Sequence, residues 1–146
     1  MAHFPQVATL YPSATRVTAV ANSAGTAVVN LANAVRAVIL LDVTATAGAA
    51  GDLLHVYVDV LAPDGVTWLN AARFPHVDGN AAAVQHYAVL SLAAAPAATT
   101  FDVTADCAEG VTKPYLWGSA IRGRHTLVNA GGGGQSVTFS LSALLQ

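Results

Sequence analysis

Three sets of residues are of types that do chemistry, and each has a plainer role beside the chemical one. His76 and Asp78 stand two apart, so on an extended chain both point the same way and, with His86 further on, offer metal-ligating atoms. Tetrahedral sites want three or four clustered ligands, and no Cys/His group or HExxH pattern supplies them. Loop residues beside a turn explain Pro75–Asn80 more simply. Asp102 and Asp106 lack the dense run of oxygen ligands that a calcium loop needs. Gly131–Gly134 is glycine-rich like a phosphate loop, but the pattern predicts a strand after it, and no Lys-Ser/Thr pair follows. No GxSxG elbow or local signature surrounds a serine or Cys107, and a triad is set by geometry and not by spacing. The expectation is no metal, no cofactor and no enzyme.

The aromatic residues Tyr57, Trp68, Tyr115 and Trp117 form the one set that suggests a ligand, because rings on a sheet face can stack on sugars. Their plainer role is as core anchors. Arg122 and Arg124 share one strand face, as a subunit contact or as a solvated surface.

Composition narrows the classes further. The 146 residues carry six Lys plus Arg against eight Asp plus Glu, a net charge of −2. The cations are scattered along the chain, which argues against nucleic-acid binding. Charged residues make up only 10%, where about 25% is usual. The hydrophobic fraction is 54% and the mean hydropathy is +0.52. No apolar run approaches the roughly 20 residues of a membrane helix. Alanine, about a fifth of the chain, accounts for part of the hydropathy, and surface covered by partner subunits accounts for part. A single cysteine excludes an internal disulfide, and Cys107 reads as a small packed hydrophobe. The first residues do not read as a signal peptide, so assembly in a cytoplasm is expected.

The elements that must position these residues are strands. Leu54, Val56, Val58 and Val60 alternate with His55, Tyr57, Asp59 and Leu61, followed by the turn Pro63-Asp64-Gly65 and a strand through Thr67–Phe74: a hairpin. Arg36–Thr44 is nearly continuously apolar, which predicts a central strand buried on both faces. Gln85–Leu92 and Phe101–Ala105 read as further strands, and Ala93–Ala98, broken by Pro96, as a loop. Trp117–Val128 and Ser136–Leu144 read as a closing antiparallel hairpin with a glycine tip. With weaker runs near Arg16–Ala21 and Ala27–Leu31, the expectation is an all-β antiparallel sandwich or jelly-roll-like barrel of about eight strands over residues 16–146. Residues 1–15, with Pro5 and Pro12, read as an extended N-terminal arm.

Three stretches resemble small structural proteins of tailed bacteriophages, especially head decoration proteins. They are Val38–Ala47 with its glycine loop, Val56–Phe74 containing Pro-Asp-Gly-Val-Thr-Trp, and Ala120-Ile121-Arg122-Gly123-Arg124 through Val137-Thr138-Phe139-Ser140. The resemblance covers about residues 35–145, and Asp-Gly-x-x-Trp also occurs in carbohydrate-binding and fibronectin-like sandwiches. It implies a virion protein that oligomerises, commonly as a trimer, on a major capsid protein and stabilises the head. Phe4, Tyr11 and Arg16, together with Arg122 and Arg124, are then the expected oligomer or capsid contacts. The alternatives are a carbohydrate- or receptor-binding module of a tail or fibre using Tyr57, Trp68 or Tyr115, and a structural protein of the tail.

Overall fold

Period-2 alternation runs through most of the chain, and the chain resolves it by stacking two antiparallel sheets with their apolar sides inward. The computed structural model describes residues 5–17, 23–24, 29–31, 33–92, 105–113, 118–130 and 134–146. Their strands are β1 (Gln6–Val17), β2 (Ser23–Ala24), β3 (Val29–Asn30), β4 (Arg36–Ala47), β5 (Leu53–Leu61), β6 (Trp68–Arg73), β7 (Val77–Asp78), β8 (Val84–Ser91), β9 (Ala120–Val128) and β10 (Ser136–Leu145). One sheet has the order β1-β10-β4-β8. The other runs β2-β9-β5-β6, with β3 also on β9 and β7 also on β5. The fold is an all-β sandwich, open at its edges and not a closed barrel.

The core lies between the sheets. Ala37, Ile39, Leu41 and Val43 of β4 and Val137, Phe139, Leu141 and Ala143 of β10 are buried against Leu54, Val56, Val58 and Val60 of β5 and Ile121 and Leu127 of β9. The β5–β6 hairpin forms as the Pro-Asp-Gly turn predicts. Gly65 takes a φ of 72°, and Asp64 Oδ1 accepts the backbone N–H groups of Val66 (3.0 Å) and Thr67 (2.8 Å). Gln85–Leu92 is also strand where expected.

Three expectations need correction. The closing pair is not a hairpin, because β9 pairs with β5 in one sheet and β10 pairs with β4 and β1 in the other. β9 and β10 therefore belong to different sheets and do not pair with each other. Alternation states which side of a strand is apolar but not which strand lies beside it, so two arms facing each other across a core read like two arms side by side.

The N-terminal segment is not an arm over residues 6–15. It forms most of β1, antiparallel to β10, with Leu10 and Tyr11 buried. Pro12 is accommodated because β1 is an edge strand with register shifts between Thr9 and Tyr11 and between Tyr11 and Ala14. Third, β4 is central, as expected, but only one of its faces is buried. Leu40 is 38% exposed and Val38 half-buried on the outward side. The loop read at Pro75–Asn80 contains the two-residue strand β7. The expected strand over residues 101–104 and the loop over 93–98 lie outside the described residues.

Candidate functional site

The outward positions of β5, β6 and β9 carry a continuous array of arginines and rings. Register pairs Asp59 with Arg122 and Tyr57 with Arg124 between β5 and β9. It also pairs Tyr57 with Arg73, Asp59 with Asn70 and Leu61 with Trp68 between β5 and β6. A bulge between Val58 and Asp59 turns Asn70 onto this face. Asp59, buried at the centre, accepts from Arg122 Nε at 3.3 Å, Arg124 Nε at 3.1 Å and Asn70 Nδ2 at 3.0 Å. Arg124 also donates to Asp106. Each guanidinium lies over a ring, Arg122 over Trp68 at 4.2 Å, Arg124 over Tyr57 at 4.2 Å and Arg73 over Tyr57 at 5.5 Å.

Residues 105–113 close over the β6 side of this array. Cys107 N–H donates to Asn70 Oδ1 at 2.7 Å, and its thiol lies 3.7 Å from Asn70 O. Arg73 N–H donates to Val111 O, and Lys113 N–H donates to Ala71 O. At the far end Arg73 Nη2 lies 3.2 Å from His55 Nδ1, and His76 Nδ1 lies 2.6 Å from Glu109 Oε1.

Electrostatics make this array a brace. Burial works against the Arg124 charge, but Asp106 and Asp59 outweigh it and hold its pKa above the ordinary value. Burial lowers the His55 pKa, and the neighbouring Arg73 lowers it further. The His76 hydrogen bond keeps Glu109 below the usual carboxylate range. Burial pushes the Cys107 thiol up, away from the thiolate that nucleophilic chemistry needs. Cys107 is the packed residue the sequence reading expected. Among the described residues no group of three His, Cys, Asp or Glu is placed to hold a metal ion. His76 and Asp78 come within 4.0 Å, while His86 stands on β8 in the other sheet.

The expected contact and stacking residues are distributed unevenly. Tyr57 is 7% exposed under two arginines and presents no open ring to a ligand. Trp68 is half-buried with Arg122 over it. Tyr115 and Phe4 lie outside the described residues. Tyr11 is a core residue, its hydroxyl hydrogen-bonded to His125 Nδ1 at 3.0 Å. Arg16 folds back over the Tyr11 and Phe139 rings and donates to the carbonyls of Pro12, Ala14 and Phe139. Arg122 and Arg124 do share one face, but their head groups are turned onto Asp59. No motif marks Asp59; its one signal in the sequence is an acid on the outward side of β5, in a chain where β9 carries two arginines spaced two apart.

The opposite face of the sandwich differs in kind. Across β1, β10, β4 and β8, register lines up Val7, Leu144, Val38 and Val89 in one row. The next row is Thr9, Ser142, Leu40 and Tyr87, and a third holds Ser140, Asp42 and Gln85. Val7 is 71% exposed and Tyr87 75%. β8 and β10 contain no Asp, Glu, Lys or Arg, and on the outward side of β4 the charges are Arg36 and Asp42, one at each end of the apolar stretch. This face, which no single sequence motif marks, is the best candidate for binding another macromolecule. Comparisons with protein-family models, with curated proteins and with solved structures gave no match.

Proposed function

We propose that this chain is a structural protein of a tailed-phage particle, a decoration protein that oligomerises on the head and docks through the outer face of the four-stranded sheet. One observation carries the reading. β4 has the composition of a strand buried on both sides, yet the described residues cover only its inner side. Exposed apolar rows of this kind are uncommon on monomers and mark contact surfaces. β8 and β10 carry no charge, while Arg122 and Arg124 pair with Asp59 and Asp106 on the opposite sheet, so the bare face is cheap to dehydrate. Such a protein needs no reaction. Each bound copy stabilises the assembled shell over its dissociated parts by mass action. The resemblance in the β4, β5–β6 and β9–β10 stretches supplies the particle context.

The test adds the purified chain to heads of its source phage that lack it, and counts bound copies against concentration. Saturable, stoichiometric binding that raises the temperature of head disruption is expected. Leu40→Asp should weaken it, whereas Val66→Asp, at a 76% exposed position in the β5–β6 turn, should not. Absence of saturable binding by the unaltered chain overturns the proposal.

A further inference from the structure

Sandwiches expose strand edges, and most of those in this one are protected. β1 carries Pro12 and two register shifts. β6 is covered by residues 111–113, which bond to Ala71 and Arg73 and bridge Ala72 to Thr112. The outer side of β9 carries the short strands β2 and β3. These are the usual devices against edge-to-edge pairing. Among the described residues nothing of this kind protects β8. It is eight residues long, free of proline and charge, and pairs with β4 without a shift.

The ladder tells which backbone groups β8 leaves open. Arg36 and Gln146 exchange both N–H···O bonds, so even-numbered residues of β4 bond toward β10. Leu92 N–H donates to Val35 O at 2.9 Å, so odd-numbered residues of β4 bond toward β8. By the β4–β8 register, the backbone groups of His86, Ala88 and Leu90 are then used within the sheet. Those of Gln85, Tyr87 and Val89 point out of its edge, with no protein partner among the described residues. Their side chains stand on the apolar outer face.

We infer that this edge pairs with β8 of a second copy, antiparallel about a two-fold axis, joining the two four-stranded sheets into one of eight strands. The inference names a contact for the self-association proposed above and rests on that reading. Two observations select a second copy as the occupant. β8 is uncharged, so two of them meet without like charges opposed. Beside it on β4, Arg36 lies level with Ser91 and Asp42 level with Gln85. Antiparallel pairing puts the Arg36 end of each β4 on the same side of the joined sheet as the Asp42 end of the other, across the two β8 strands, whereas parallel pairing would set like ends on one side. With Tyr87 opposite its symmetry mate, the row Leu40–Tyr87 continues into Tyr87–Leu40 of the second copy, and the most exposed aromatic residue described gains its symmetry mate as a neighbour.

The test combines native mass by light scattering with amide exchange of the full chain at low and high concentration. A dimer is expected whose Gln85, Tyr87 and Val89 amides become protected as it forms. Tyr87→Lys places two cations together at the axis and should weaken the dimer about tenfold or more, with circular dichroism unchanged, while Val66→Lys should leave it intact. An oligomer of any size, a trimer included, whose three amides exchange as in the monomer overturns the β8 contact and leaves the decoration reading standing. A monomer at every concentration also overturns it, and head binding then decides the decoration reading separately.

Discussion

Gly123 of β9 makes room for the ring of Tyr11 from the opposite sheet. A Cβ at position 123 would stand 2.8 Å from Tyr11 Cε2 and 2.7 Å from Leu141 Cδ2. The ring is locked in place by Phe139, 5.5 Å away between centroids, and by His125 at 5.2 Å, edge to face. Side chains of the opposite sheet therefore fill the space that a side chain at position 123 would need. Gly123→Ala should destabilise the fold by about 1–3 kcal/mol, the usual range for overpacking a core. Urea unfolding measures it, and an unchanged midpoint would mean that the sheets can part without loss.

The neighbour of this contact should make the fold sensitive to acid. His125 is 4% exposed, and burial first, then the nearby Arg16, lowers its pKa from 6.5 to about 4. Between those values the unfolded chain takes up a proton that the native chain refuses. The stability His125 contributes is complete above pH 6.5 and declines as the pH falls through the window to about 4, by on the order of 3 kcal/mol in all. His125→Phe should flatten the dependence, read as the difference between the unfolding free energies of the two chains from pH 7 to 4. Parallel curves would place the acid sensitivity elsewhere.

On the other face, Asp59 is the shared counter-ion of Arg122 and Arg124. Replacing it by Ala removes the carboxylate that two mostly buried guanidinium groups share and takes one acceptor from Asn70 Nδ2. Removing one member of a buried ion pair costs about 3–5 kcal/mol, and partial exposure of Arg122 puts this site at the lower end. Thermal unfolding should show a large drop in Tm for Asp59→Ala. Arg122→Ala should cost less, because Arg124 still pairs with Asp59. Equal losses would show that Arg122 and not Arg124 carries the brace.

Much of this architecture is legible in the residues themselves. Period-2 alternation is enough for an all-β chain, and Pro63-Asp64-Gly65 is enough for the β5–β6 hairpin, because proline and glycine restrict local dihedrals wherever they occur. The sparse charge and the apolar run of β4 already imply surface that water does not suit. Where neighbours decide, pattern has nothing to say. The pairing of β9 with β5 and of β10 with β4, the enlistment of residues 6–17 as an edge strand, and the gathering of Arg122, Arg124, Tyr57 and Trp68 around Asp59 join residues far apart in the chain. So does the contrast between a braced face and a bare one. Alternation assigns each side chain to a side of its strand. Only the tertiary structure decides which sheet that strand enters and what then covers it, because sheet order and register come from long-range pairing and not from local preference.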